Sequence, residues 1–500
     1  RIHILLLVTC TCACAWAQMC EDGMALPGCL RRLAAARPQA SQLLSSAAEY
    51  SAAKGVDLPT QLHLALGAAK GELTLTWITT LECPASCAWL HGTCVPATTG
   101  TYTVPDRWWQ PNVMKWVHTA SLKGLGSREQ FAYTVGDNTT EGCTTTTVAG
   151  PARAPPEEGE LPVTAALMAD VGSIEVLGFA TWQALDLRMQ GKRGSGPLDV
   201  DLVVHAGDVS YAGMDTAIPF LNVSQDDEWE PLWDVYGLAH ENVTRQRAYQ
   251  LGIGNHEAWY NWTAMRHRYP MVQRAAAPDE ATALANPPFW YSFVSGGVHW
   301  TMLSTEHAHE PGSTQYRFAS ASLSTVDRNL TPWSVVAFHR PMYCSDTDSF
   351  DAHSPGGAIQ RDLEPLVLAH AVDLVFSGHE HGYERIHPNV AGVVDTVPEP
   401  VGPGGELVYT HPSAPVYLMV GHGGALQAER WVTPAPAWSA VRFSEGCDFT
   451  GSLHVCEMRG TRTNAYTDSY GFMHVQFINR THARLHTEMV SGDRLQDAFW

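Results

Sequence analysis

Six short, nearly continuous apolar runs frame the latter part of this 500-residue chain, at 163–168, 200–204, 248–253, 334–338, 372–376 and 416–420. A strand that is apolar at every position is buried on both faces, as in a sheet with helices packed over it. Helix-length segments separate the runs. The pattern predicts an α/β catalytic domain over 160–500. Five of the six runs end in side chains that bind metals. Asp170 follows the first and Asp208 the second, after His205-Ala206-Gly207. Asn255, His256 and Glu257 follow the third, His339 the fourth, and His379-Glu380-His381 the fifth. Ligands of α/β proteins gather outside the carboxyl ends of strands. Taken singly, each residue has an ordinary explanation. An Asp after a strand caps a helix or turns the chain, Gly-Asp is a common turn, and a lone His is commonly a satisfied core residue. All of them occurring in order, each at a strand end, points to a metal cluster.

The residues before 160 read differently. Arg1 and His3, the apolar stretch 4–14 and Ala15-Trp16-Ala17 match a secretory signal with a small-x-small cleavage site, giving 1–17 as a signal peptide. That stretch is too short to span a bilayer, and no later one has the needed length and apolarity. Residues 18–55 are Ala-rich and are expected to form an N-terminal extension. Over 56–150, alternating segments such as 62–66, 73–78, 116–120 and 131–135 predict an antiparallel β-sandwich domain. The segment 152–159, rich in Pro and Glu, reads as a linker.

Charge and cysteines narrow the class. The chain has 31 basic and 51 acidic side chains, a net charge of −20, which opposes nucleic-acid binding. Three of the twelve cysteines would leave with the signal, so nine remain, and an odd count in an oxidising compartment leaves one thiol over. Cys20–Cys29 and Cys447–Cys456 are plausible local pairs. Cys83, Cys87 and Cys94 fit disulfides better than a zinc site, because only His91 lies near as a fourth ligand. Sequons at Asn138, Asn222, Asn242, Asn261, Asn329 and Asn479 favour a glycosylated exterior. The expected location is extracellular, or a vacuolar or lysosomal lumen.

The ordered phrases D-V-G, G-D-V-S-Y, G-N-H-E, F-H-R-P and G-H-E-H resemble the metallophosphoesterases, and Tyr211, three residues after Asp208, narrows the resemblance to the purple acid phosphatases. It runs from about residue 56 to the end. It implies a fibronectin III-like β-sandwich followed by a two-sheet α/β/β/α metallophosphoesterase domain. It also implies an acid phosphatase that hydrolyses small phosphate monoesters. Asp170, Tyr211 and His381 would hold Fe(III), and Asn255, His339 and His379 a divalent Zn, Fe or Mn, with Asp208 bridging. Phenolate and carboxylate suit the hard ferric ion, and two imidazoles suit the softer partner. A metal-bound hydroxide would attack phosphorus in line. An acidic optimum is expected. His256 is the candidate for contacting substrate and protonating the leaving group, with Glu257 orienting it or capping the next segment.

The resemblance breaks at one loop. Family members often carry further substrate-binding histidines shortly after H-R-P. Here the loop 342–353 is acidic and offers His353 as the substitute. A homodimer stays open, but the family's disulfide dimer does not carry over. The run Gly421-His422-Gly423-Gly424 reads as a turn, His205 as structural, and His299, His307 and His309 as structural or surface. The same metals would also serve a phosphodiesterase or nucleotide pyrophosphatase, since pocket walls decide between substrates. A secreted glycoprotein that only binds phosphate or a partner is the non-enzymatic alternative. The complete set of seven ligands argues against it.

Overall fold

The computed structural model describes residues 56–104, 115–173, 178–194, 196–212, 230–274, 279–347, 349–401, 406–425, 427, 431–444, 447–449, 456–458, 470–490 and 497–499. The expected signal peptide and extension, Cys20, Cys29 and Asn222 lie outside these residues.

The N-terminal strands are β1 (Thr60–Leu66), β2 (Leu73–Thr79), β3 (Cys87–Leu90), β4 (Thr93–Pro96), β5 (Thr98–Tyr102), β6 (Lys115–Leu122), β7 (Gln130–Gly136) and β8 (Thr145–Arg153). They form two layers, one ordered β4-β3-β7-β8 and the other β1-β2-β6-β5. Cys83–Cys143 and Cys87–Cys94 are disulfides, which settles the cysteine cluster in favour of cross-links. Cys344 is a buried free thiol.

Beyond residue 160 the apolar runs become strands as expected. One sheet carries β9 (Val163–Met168), β10 (Leu202–Ala206) and β11 (Ala248–Gly252), all mutually parallel. A second carries β12 (Tyr291–Ser295), β13 (Val298–Met302), β14 (Trp333–Ala337), β15 (Leu374–Ser377), β16 (Tyr383–Ile386) and β17 (Val416–Met419). In it β13, β14, β15 and β17 run parallel. The strands β9, β10 and β15 are buried at every position, which explains their nearly continuous apolar character. The helices α1 (Gly178–Met189), α2 (Pro231–Thr244), α3 (Trp259–Arg268), α4 (Glu280–Leu284), α5 (Thr314–Ser324) and α6 (Ala358–Ala369) join these strands. Among the described residues, no helix is long and apolar enough to cross a membrane.

Two expectations about the N-terminal part change. Its sheet is not separate, because β1 pairs in parallel with β11 through Leu64 and Ala248, and one twelve-stranded sheet runs through both parts. A buried ionic cluster reinforces this seam. Arg268, at the end of α3, donates to Glu230, Asp234, Gln61 and Tyr102, and Lys115 pairs with Asp234 at 3.0 Å. Nor is the whole of 152–159 a linker. Arg153 belongs to β8, residues 152–156 are buried, and the Arg153 guanidinium donates to Asp201 at 2.7 Å. A buried arginine needs such a partner, and the Pro/Glu composition conceals it.

Candidate metal centre

The polar strand ends converge from both sheets. β9, β10 and β11 deliver Asp170, Asp208, Tyr211 and Asn255, while β14 and β15 deliver His339, His379 and His381. The loops of the first sheet continue its ladder, with the Asp170 and Val171 N–H groups donating to the carbonyls of Gly207 and Asp208. Across the gap, the Gly378 N–H donates to the His339 carbonyl at 2.8 Å. Asp170, Asp208, Tyr211 and His379 all have positive φ, between 53° and 76°. That backbone region is costly for residues with a Cβ, and such strain clusters at functional sites. Two glycines permit the close approach. A Cβ on Gly254 would lie 2.2 Å from Asp208 Oδ1, and one on Gly378 2.3 Å from Asp170 Oδ2.

The side chains form two groups that share Asp208. In the first, the Tyr211 hydroxyl lies 3.0 Å from Asp170 Oδ1 and 2.7 Å from His381 Nε2. In the second, His339 Nε2 lies 3.2 Å from Asp208 Oδ2, 3.2 Å from Asn255 Oδ1 and 3.3 Å from His379 Nδ1. The ligand atoms of Asp170, Asp208 and His381 fall within 4.8 Å of one another, as do those of Asp208, His339 and His379. The His339 Nδ1–H donates to the Ala206 carbonyl at 2.9 Å, which fixes the ring with Nε2 toward the cluster.

Electrostatics fit a cation there. Asp170 and Asp208 are both fully buried. Burial pushes the Asp170 carboxyl well above its usual range, and the neighbouring Asp208 adds to that. For Asp208, burial opposes ionisation, but the His339 ring overrides it and holds the carboxyl well below its usual range. In return, against the cost of burial, Asp208 raises His339 to about 10. A metal ion bound there would share its charge with the carboxylates in place of the imidazolium. Buried carboxylates need a compensating cation, and this donor set of O and N ligands suits metal.

Around this core, the His256 ring lies between Tyr211 and Trp259, at centroid distances of 4.3 and 5.8 Å. Its Nε2 is 3.9 Å from Asp208 Oδ2. Glu257 accepts from the N–H groups of Asp208, Val209 and Gly254. It closes the capping box of the short 3-10 turn Asn255–Glu257, of which it is part, and it also ties the Asp208 loop to that turn. His353 is buried, with Nε2 3.6 Å from Glu380 and its ring 5.8 Å from that of His379, so it reaches the edge of the cluster. His205 is a core residue bonded to Tyr249, and His299 is likewise buried, beside Ser322. His307 stacks on Trp262 at 4.8 Å, and His309 faces Asp362 at 3.3 Å. The glycine run 421–424 does more than turn the chain. Added Cβ atoms there would strike Glu380, Ala169 and Val171, so the run packs directly on the loops carrying Asp170 and His379. Its position directly after the apolar run 416–420 is the sequence signal of that role, which the glycine content outweighs in favour of a turn. Arg340 lies within the phrase F-H-R-P, where the sequence gives it no role of its own, and its carboxylate partner Glu306 has no sequence signal.

The calcineurin-like phosphoesterase family model matches residues 164–383, and that for the iron/zinc purple acid phosphatase-like protein C matches 414–495. These matches give the chain a calcineurin-like phosphoesterase domain followed by a purple acid phosphatase-like C-terminal region. The chain is 27% identical over 414 residues to a purple acid phosphatase of Glycine max, covering 79% of each chain. It is 33% identical over 218 residues to purple acid phosphatase 1 of Ipomoea batatas, covering 42% of this chain and 43% of the relative. Probable purple acid phosphatase 20 of Arabidopsis thaliana is 29% identical over 295 residues, covering 58% of each chain. The chain thus spans little more than half the length of that relative. The purple acid phosphatase from yellow lupin seeds shares the fold, with a TM-score of 0.67 at 21% identity, over 89% of this chain and 74% of that one.

Proposed function

We propose that this purple acid phosphatase homologue is a secreted acid phosphatase that hydrolyses small phosphate monoesters at a two-metal centre. The observation carrying this reading is the pair of ligand groups joined by Asp208. Asp170, Tyr211 and His381 would hold a ferric ion, and Asn255, His339 and His379 a divalent zinc, iron or manganese ion. Such ions, when bound, supply Lewis acidity toward the phosphoryl group and acidify a water at working pH. The protein's own residues do the rest. Asp208 holds the two ligand groups in register. His256, kept in place by Tyr211 and Trp259, gives a proton to the departing alkoxide. His353 faces the phosphoryl group from the Glu380 side. The burial of Asp170 and Asp208 limits water to the reacting face and strengthens each polar contact.

Residues 56–150 would form a fibronectin III-like sandwich with one sheet continuing into a catalytic domain that spans 160–500. Export fits the two disulfides. It also fits sequons at Asn138, Asn242, Asn261, Asn329 and Asn479 whose asparagines are all exposed. Elemental analysis with visible spectroscopy of the purified protein, followed by a panel of mono- and diesters, tests the reading. Iron with a second metal, a purple band and preference for monoesters are expected. Absence of iron and of hydrolysis would sink it, and a preference for diesters would move it to the phosphodiesterase alternative.

A further inference from the structure

Arg340 follows His339 directly, yet the chemistry above gives it no task. Its guanidinium is anchored by Glu306, with Nε 2.7 Å from Oε1 and Nη2 3.2 Å from Oε2. On its other side, Nη1 lies 2.9 Å from Nε2 of His379. The Arg340 side chain is 32% exposed, so it stands at the mouth of the cluster and not in the core.

The contact with His379 depends on that ring's protonation pattern. A hydrogen bond from Nη1 requires a lone pair on Nε2. His379 turns Nδ1 toward the cluster, 3.3 Å from His339 Nε2. A neutral imidazole that gives Nδ1 to a metal carries its proton on Nε2. That N–H cannot accept from a guanidinium, and Glu380, with Oε1 3.9 Å away, is the acceptor at hand. Metal ligation by His379 therefore frees Nη1 while Glu306 still holds the rest of the fork. An anchored guanidinium with a donor released beside a dinuclear site is suited to a phosphate oxygen. In a chain of net charge −20, a local cation also offsets the general repulsion of a phosphate dianion.

We infer that Arg340, held by Glu306, binds the substrate's phosphoryl group in the metal-loaded site by donating from Nη1. The inference rests on the metal-centre reading and deepens it. It supplies a cationic contact where the 342–353 loop departs from the family's histidines.

The test uses the full, metal-loaded chain and three variants, Arg340→Gln, Arg340→Lys and Glu306→Gln. Metal per chain is measured by elemental analysis, and inorganic phosphate binding by calorimetry. Arg340→Gln should keep its metals and bind phosphate about 10- to 100-fold more weakly, the worth of one charge-assisted hydrogen bond. Arg340→Lys should recover part of that loss, since it restores charge without the fork. Glu306→Gln should weaken phosphate binding with metals retained. If Arg340→Gln loses metal in step with phosphate, Arg340 only positions His379 and the inference is overturned. Phosphate affinity within about twofold of the parent, below the worth of any such bond, overturns it as well. If the parent protein itself takes up no metal, the metal-centre reading falls first, a result the elemental analysis reports separately.

Discussion

The phenolic oxygen of Tyr211 lies 2.7 Å from Nε2 of His381, so two residues far apart in sequence and borne by different sheets meet over Asp170. Tyr211→Phe keeps the ring that packs 4.3 Å from His256 but removes the only phenol in this group. The variant should fold normally and lose the purple absorbance. Its metal affinity or activity should drop by about 10-fold or more. A visible spectrum recorded beside an iron assay checks this. Colour persisting in the variant would place the chromophore elsewhere.

His256 touches Asp208 in two ways. Its backbone N–H donates to Asp208 Oδ1 at 3.0 Å, and its ring approaches Oδ2. His256→Ala preserves the first contact, so metal content should hold while kcat falls by about 10²–10⁴-fold. The loss should be larger for alkyl than for aryl leaving groups, because an alkoxide needs the proton more. Equal losses across a leaving-group series would remove the general-acid role.

Glu257 receives three backbone N–H groups from two loops. Glu257→Ala leaves these donors buried without it, at a cost of more than about 3 kcal/mol. Glu257→Gln, which keeps one acceptor oxygen, should fall between the variant and the parent. Urea midpoints of the three proteins decide the matter, and an unchanged midpoint for the alanine variant would rule out the clamp.

Several histidines away from the metal centre are buried and held neutral. Burial lowers His118 and His299 to about 4 and His474 to about 3. Their folded values lie below the unfolded one, so the unfolded chain binds more protons between pH 6.5 and about 3. Stability is then full above pH 6.5 and falls as pH drops through that window. Thermal midpoints should decline from pH 6.5 to 4, and His474→Gln should flatten the slope. A flat profile in the parent protein would contradict the assignment. The catalytic optimum expected on the acid side thus competes with the fold's own acid sensitivity.

The strand ends were legible because burial on both faces leaves an unbroken apolar run, and the polar residue closing it is conspicuous. Asp170, Asp208, Asn255, His339 and His379 were all found this way, and the structure brings them together. The disulfide reading of the cysteine cluster also agrees with the structure, since the spacing offers only His91 as a fourth zinc ligand. Other features left no local trace. The pairing of Glu306 with Arg340 spans 34 positions, and nothing in the F-H-R-P phrase names Glu306 as the partner. Arg153 sits in a segment whose Pro and Glu content reads as exposed, because its partner Asp201 lies 48 residues on. The continuity of the two parts rests on a single parallel pairing, Leu64 with Ala248, which no pattern within either strand announces.

That seam has a practical consequence for dissecting the protein. A fragment beginning near residue 160 would uncover the edge of β11, a row of unpaired backbone donors and acceptors that invites strand-to-strand aggregation. It would also strip Arg268, Glu230 and Asp234 of Gln61, Tyr102 and Lys115, leaving a buried charge cluster short of partners. The shortest unit that behaves as one cooperative body therefore begins at or before β1. The helix that follows His256 is held from behind by residues of the N-terminal sheet.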